Sequence, residues 1–340
     1  MPATLKDVAK DLGLSVGTIS KVLRNHPDIS DRTRKRVLER MKELDYQPNY
    51  AARALITGRT STMGLVVPDL LHPFFAHIAK ALSAGIREHG YSVIIATSDD
   101  ESTIEKREIQ QLIARRVDVM LVASTQASPE DFRGIAEKDI PLILLDRYFE
   151  GFSSNFVGVD DRAVGALATS HLIEQGCRRI AHIRGPEVST ASGRISGYLK
   201  TLSDHHISPP DDFIVQSGTS ADHEGEEAGY AATSKLLSSR KRPDGIFCFN
   251  DPTALGAMRA ILDAGLRIPQ DVAIVGCGNL LYSDFLRVPL TSVDQASAKI
   301  GQAAASLALQ LAQSKTTPAP KSKRLKPSLI VRASSLRHTR

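Results

Sequence analysis

The chain opens with the stretch TLKDVAKDLGLSVGTISKVL, residues 4–23, which decides the interpretation of its first domain. Apolar residues recur there at helical spacing, and Gly13 interrupts the repeat. Thr4 and Ser15 stand at N-cap positions, and glycine ends helices because it adopts a positive φ without strain. The residues expected to face inward are Leu5, Val8, Ala9, Leu12, Ile19, Val22 and Leu23. Two short amphipathic helices joined by such a turn form a helix-turn-helix.

The second of these helices presents a small, polar outer face. The outward residues are Ser15, Val16, Gly17, Thr18, Ser20 and Lys21. In a major groove, Lys21 can donate to guanine O6 and N7, Val16 can contact a thymine methyl group, and hydroxyls can bind phosphates. Gly17 costs helix stability, which close approach of the backbone to DNA would explain. The alternative is an ordinary three-helix domain with an exposed polar face.

A third helix and a short basic segment complete the head. The helix begins at Ser30 or Asp31, and Pro48 closes it. Its expected buried face consists of Val37, Leu38, Met41 and Leu44. The apolar and basic segment Asn49–Leu55 follows, and residues 57–60 have the composition of a linker.

Charge is distributed unevenly along the 340 residues. Residues 1–60 hold 12 Lys and Arg against 7 Asp and Glu, residues 61–314 hold 23 against 31, and residues 315–340 hold 8 against none. A basic head on an acidic body favours contact between the head and a polyanion. The basic tail is either a second such surface or a solvated terminus rich in Ser, Pro and Lys.

From Thr62 onward, short β-rich runs alternate with helical patterns of 12–18 residues. This alternation predicts parallel sheets with helices on both faces, and some 280 residues favour two Rossmann-like lobes over one. The first residues lack a signal-peptide pattern, no run of 18 apolar residues occurs, and the three cysteines have no CxxC spacing. We therefore expect a cytoplasmic protein without membrane contact.

The head resembles the lactose-repressor (LacI) family over about 55 unbroken residues. The matching segments are 4–9, 13–23, 30–37 and 44–49, and Asn49–Leu55 resembles the family's hinge. The resemblance implies that Val16, Gly17 and Lys21 read bases and that Leu55 from each of two hinges inserts between base pairs. The full set of expected DNA contacts is Thr4, Ser15, Val16, Gly17, Thr18, Ser20, Lys21, Asn49, Arg53 and Leu55. Packing of Leu55 between domains is the alternative.

The body continues the resemblance. It is similar to periplasmic sugar-binding proteins, in which three crossovers join two α/β lobes around a ligand cleft. The expected domains are 1–48, a helix-turn-helix; 49–60, hinge and linker; and 61–340, the effector-binding and dimerisation body. The expected crossovers near 160, 290 and 325 assign 61–160 plus 291–325 to one lobe and 161–290 plus 326–340 to the other.

The candidate ligand residues lie mostly just past predicted strands, where open α/β sheets bind ligands. They are Phe74, Phe75, Asp146, Asp160, Thr190, Arg194, Asn250, Asp251 and Gln295. Alternatives stay open for three of them. Asp251 is placed to cap the helix that Pro252 begins, Phe75 can be core, and Asp146 can form an ion pair with Arg147 or Arg194.

One segment departs from the family pattern. Where the family usually has Gly, an aromatic residue, Asp and Asp or Asn, this chain has Gly276-Cys277-Gly278-Asn279. The carboxylate that holds sugar hydroxyls in family members is therefore absent at Gly278. A sugar or sugar derivative remains the first expectation for the effector, and a non-sugar ligand or a co-regulator protein is the alternative.

The sequence favours a transcription regulator, most simply a repressor, over an enzyme or a secreted binding protein. An NAD enzyme would need a third glycine and an acidic residue beyond Gly276-Cys277-Gly278, and both are missing. No other catalytic or metal-binding motif occurs, so we expect no catalysis, cofactor or metal. The expected partners are a palindromic double-stranded DNA operator, a small effector and a second copy of the chain.

Overall fold

The computed structural model describes residues 3–23, 26–46, 54, 58–136, 140–217, 225–314, 316 and 318–337. The chain divides into two compact units, residues 1–60 and 61–340. No helix in the described ranges is long and apolar enough to cross a membrane.

The head contains the three predicted helices, α1 (Leu5–Leu12), α2 (Val16–Leu23) and α3 (Asp31–Glu43). Thr4 caps α1 through a capping box with Asp7, and Gly13 ends that helix at φ 64°. Ser15 Oγ accepts a hydrogen bond from the amide of Thr18 at 3.0 Å, and Ser30 Oγ accepts from Thr33 at 3.3 Å. Local capping chemistry therefore sets the starts of all three helices and the end of α1.

The core of the head is narrower than the sequence predicted. Its fully or nearly buried members are Val8, Ala9, Ile19, Val22, Val37 and Met41. Leu23 and Leu38, expected to face inward, are 41% and 50% exposed. Each follows a buried residue and is turned about 100° from it around the helix. Three short helices bury only one stripe each, so that expectation was wrong.

The body consists of two six-stranded sheets, in agreement with the predicted two-lobe α/β class. The strands are β1 (Thr62–Val67), β2 (Ser92–Thr97), β3 (Val119–Val122), β4 (Leu142–Leu145), β5 (Asn155–Val159), β6 (Ile180–Arg184), β7 (Ile214–Gln216), β8 (Gly245–Cys248), β9 (Ala273–Cys277), β10 (Thr291–Asp294), β11 (Ser322–Leu325) and β12 (Ser328–Ile330). The first sheet has the order β11-β5-β4-β3-β1-β2 and is entirely parallel. The second has the order β12-β10-β9-β8-β6-β7, with β12 antiparallel to β10.

Helices alternate with these strands along the chain. They are α4 (Pro73–Arg87), α5 (Ser102–Ala114), α6 (Glu130–Ala136), α7 (Asp161–Glu174), α8 (Ser189–Asp204), α9 (Gly225–Ser238), α10 (Asp251–Asp263) and α11 (Ser297–Gln313). The chain passes between the lobes three times, as predicted. Strand β10 still belongs to the second sheet, so the second passage lies between Asp294 and α11, a few residues after the expected position near 290.

One close helix pair covers each face of the second sheet, α7 with α8 on one face and α9 with α10 on the other. Helices α7 and α8 meet at Gly165 and Gly197, where a Cβ on Gly165 would overlap the carbonyl oxygen of Arg194. Helices α9 and α10 meet in the same way at Gly229 and Gly256. The backbones approach so closely that these contacts have no room for a methyl group.

We expect Gly165→Ala to destabilise the full-length protein by about 1–3 kcal/mol, because overpacking exceeds the gain in helix propensity. The urea midpoint measures the change. Gly134→Ala in α6 is the matched control, since a Cβ there meets nothing within 4 Å. Equal midpoints for the two variants would contradict the close-contact account.

Candidate nucleic-acid interface and interlobe cleft

The outer face of α2 is exposed to solvent, so another molecule can contact it. Ser15, Val16, Gly17 and Lys21 are exposed, whereas Thr18 and Ser20 are half-buried. Val16 leaves 41% of its surface exposed although it is apolar. Lys21 is the only charged residue within α2 and places its ammonium group 3.6 Å from the carboxylate of Asp28.

Packing inside the head does not explain the glycine in α2. Among the described residues, a Cβ on Gly17 would meet only Ser15 Oγ, at an ordinary contact distance of 3.6 Å. An alanine would therefore fit and favour the helix. The cause of the glycine lies outside the fold of the head, which agrees with a surface that approaches another molecule closely.

The other predicted DNA contacts divide into two groups. Thr4 is exposed, and its hydroxyl is engaged with Asp7 in the capping box of α1. Asn49, Arg53 and Leu55 lie outside the described residues.

In the body, side chains from both lobes line a cavity of about 370 Å³. They follow β3, β4 and β6, at the carboxyl ends of the strands. Among them are Ser124, Gln126, Arg147, Tyr148, Glu187, Ser189 and Ser192. None of the nine predicted ligand residues lines this cavity, although Asp146 directly precedes the lining residue Arg147. The Ser189 hydroxyl of the second lobe accepts a hydrogen bond from the Tyr148 amide of the first at 2.9 Å.

Asp161 is not among the residues predicted from the sequence, and it forms a buried ion pair with Arg194. Arg194 Nε donates to Asp161 Oδ1 at 3.0 Å, Nη1 donates to the Phe249 carbonyl at 2.6 Å, and the guanidinium lies over the Phe249 ring. Burial raises the pKa of Asp161 to about 7 against the opposing effect of Arg194, and the charge of Asp146 adds to the rise. The second oxygen, Oδ2, is buried without a hydrogen-bond partner among the described residues.

A second buried ion pair lies in the first lobe. Arg147 Nη1 contacts Asp100 Oδ1 at 3.1 Å and the Ser124 carbonyl at 3.3 Å. Arg147 and Arg194, the ion-pair partners considered for Asp146, contact Asp100 and Asp161 respectively. The role of Asp146 stays a prediction. Asp146 itself is buried at φ 59°, a left-handed conformation that aspartate tolerates.

Two predicted ligand residues, Asp160 and Asn250, cap helices. Asp160 is exposed and caps α7 by accepting from the Ala163 amide at 3.1 Å. Asn250 caps α10 by accepting from Thr253 at 2.9 Å, so the cap expected at Asp251 lies one residue earlier.

Asp251 is fully buried beneath the segment that departs from the family pattern. Its carboxylate accepts from the Leu280 amide at 2.9 Å and from Ser292 Oγ at 2.7 Å. A Cβ on Gly276 would overlap this carboxylate, and Gly278 has φ 132°, which favours glycine. The glycines of this segment therefore meet backbone and packing demands of the second lobe, and burial raises the pKa of Asp251.

The remaining candidates are buried in the two lobes. Phe74 and Phe75 belong to the core of the first lobe, with ring centroids 5.2 Å apart. This placement favours the core interpretation of Phe75 and extends it to Phe74. Thr190 is 1% exposed in the first turn of α8, and Gln295 is 5% exposed where the chain leaves β10. The ligand roles of these four residues stay predictions.

Comparison with known proteins agrees with both units. Residues 4–49 match the bacterial regulatory proteins of the lacI family, and residues 169–335 match the periplasmic binding protein-like domain. The transcriptional regulator GalR of Salmonella typhimurium strain LT2 is 34% identical over 317 residues, which cover 93% of this chain and 91% of GalR. The chain belongs to the LacI family. It is a DNA-binding transcription regulator with a helix-turn-helix head and a two-lobe body.

Solved structures of LacI-family regulators have the same fold. The lac repressor dimer bound to operator and the anti-inducer ONPF has a TM-score of 0.86 and 27% identity, covering 99% of this chain and 100% of that one. The complex of the regulator CelR with cellobiose has a TM-score of 0.74 and 29% identity, covering 98% and 99%.

The hydrogen bond between Tyr148 and Ser189 yields a prediction about the cleft. Ser189→Ala removes the acceptor, so we expect the Tyr148 amide to exchange with solvent about 2–10 times faster. Hydrogen exchange resolved to single amides measures the effect. Ser192→Ala, in the same cavity wall and helix, is the control, and equal exchange in the two variants would contradict a contact that holds the lobes together.

Proposed function

We propose that this regulator is a homodimeric repressor that binds a palindromic operator and responds to a small sugar-like effector between its lobes. The main support is that one chain contains both an exposed outer face on α2 and a cavity lined by both lobes of the body. The proposed base readers are Val16, Gly17 and Lys21. The hinge residues Asn49, Arg53 and Leu55 would bind the minor groove, where inserted leucines kink DNA.

The chemistry of the cavity supports a hydroxylated ligand. Its walls carry the hydroxyls of Ser124, Ser128, Ser189 and Ser192, and they also carry the amide of Gln126. Such groups both donate and accept, as sugar hydroxyls do. The similarity to CelR, which was solved with cellobiose, points in the same direction.

The proposed coupling follows from the position of the cavity. A ligand that contacts both lobes stabilises one relative arrangement of them and thereby changes the separation of the heads in a dimer. Linkage then requires that operator and effector change each other's affinity by the same factor. We propose no catalytic role, and we place the protein in the cytoplasm because the bacterial chromosome lies there.

An exposed apolar turn supports dimerisation. Leu281 and Phe285 are 73% and 87% exposed in the loop that follows Asn279. Large apolar side chains at one place on a surface mark contact sites. The similarity to the lac repressor dimer supports assignment of this turn to a second copy of the chain.

Phe285→Asp should convert the dimer to monomer and weaken operator binding at least tenfold, because a charge in an apolar interface is costly. Sedimentation velocity and operator titration measure both effects. Leu199→Asp, at a 40% exposed position on α8, is the control. A Phe285→Asp protein that stays dimeric would exclude this turn from the interface.

The function itself is tested with full-length protein in two steps. Selection from random duplex DNA should enrich a sequence with two-fold symmetry, and enrichment of an asymmetric site would overturn the dimeric operator. Sugars, sugar phosphates and nucleobases are then screened by thermal shift, and stabilising compounds are added to operator titrations. A compound that stabilises the protein without changing operator affinity would overturn the coupling. A screen without stabilising compounds would overturn the small-molecule effector in favour of a protein co-regulator.

A further inference from the structure

Lys21 is the only charged residue within α2, the recognition helix proposed to read DNA, and it is paired with a carboxylate of the same chain. Lys21 Nζ lies 3.6 Å from Asp28 Oδ2, in the described part of the loop between α2 and α3. Both side chains remain accessible, with 46% and 62% of their surfaces exposed. The other residues of α2 are uncharged, so this ion pair makes the outer face of the helix nearly neutral.

Arg34 holds the loop that carries Asp28. This residue on α3 donates through Nη2 to the carbonyl of His26 at 3.0 Å and to that of Ile29 at 3.5 Å, on either side of Asp28. The amide of Asp28 donates to His26 Nδ1 at 3.4 Å. The loop backbone is therefore fixed at a place from which the Asp28 carboxylate reaches Lys21.

We propose that Asp28 is a specificity-determining residue that competes with DNA for Lys21. The inference rests on the proposed reading of DNA by α2. On random-sequence DNA the available acceptors are mainly phosphates, and a lysine already paired with Asp28 gains little by moving to one. A guanine in register offers O6 and N7 together, and this pair of acceptors draws Lys21 away from Asp28. Asp28 thus weakens non-specific binding more than specific binding.

The test compares Asp28→Asn with Glu43→Gln in the full-length protein. Glu43 is a matched control because its side chain is also 62% exposed and is also ion-paired, at 2.8 Å to Arg40 on α3. Each substitution removes one negative charge from the head. A difference between the two variants therefore reports the position of Asp28 rather than the net charge.

We expect Asp28→Asn to bind a random-sequence duplex about two- to fivefold more tightly than Glu43→Gln, the range that exposed ion pairs support. The affinity for a site selected with the wild-type protein should rise less, so specificity falls. The slope of log affinity against log salt should steepen by up to about 1 in Asp28→Asn, because Lys21 becomes a phosphate contact. A loop with a purely structural role would leave this slope unchanged.

Lys21→Ala separates failure of the inference from failure of the proposed function. If Lys21→Ala leaves DNA affinity unchanged, α2 does not read DNA through this residue, and the proposed function is wrong at that point. If Lys21→Ala weakens binding while Asp28→Asn and Glu43→Gln behave alike, the competition by Asp28 is overturned. In the Lys21→Ala background, Asp28→Asn should lose its advantage over Glu43→Gln, and retention of that advantage would also overturn the inference.

Discussion

Arg194 is buried in the second lobe, and a buried guanidinium needs an opposite charge close to it. Asp161 supplies the charge, the Phe249 carbonyl accepts a second hydrogen bond, and the Phe249 ring covers the flat face. These contacts join the starts of α7 and α8 to the end of β8. Removal of either charge would leave the other buried and uncompensated, which is more costly than the loss of an exposed pair. The wall of the cleft depends on this pair.

The first lobe also contains a buried arginine that is paired with an aspartate. Its strands also end at the cleft, and Arg147 is neutralised there by Asp100 and by the Ser124 carbonyl. Parallel sheets bring polar strand ends together at one edge, so each lobe needs a buried network to hold its loops. Arg147 itself lines the cavity, together with hydroxyl and amide side chains of nearby residues. The head, by contrast, keeps its charges at the surface, where ion pairs such as Lys21 with Asp28 can exchange for DNA.

The helix ends show which structural features can be predicted from neighbouring residues in the sequence. Thr4, Gly13, Ser15 and Ser30 were predictable because a cap depends on residues within one turn. Adjacent aspartates were harder. Asp160 and Asp161 have the same side chain, but one caps α7 in solvent and the other is buried against α8. A Cβ at Gly193 would come 2.5 Å from the Cβ of Asp161, which shows how closely α8 covers that residue. Only a contact with Arg194, 33 residues away, distinguishes the two carboxylates.

Local patterns in the sequence predicted a helix-turn-helix head and two α/β lobes, and the resemblance to the LacI family implied the three crossovers and the regulatory role. Periodicity, capping and motif order are local properties, and they survive without knowledge of packing. Only the tertiary structure decided which polar residues face the cavity and which serve the fold. It buried Asp251 under Gly276, put Arg194 on Asp161, and brought Asp28 beside Lys21. Those outcomes depend on contacts between segments far apart or on loop conformation, and the free energy of burying a charge is set by the whole surrounding structure.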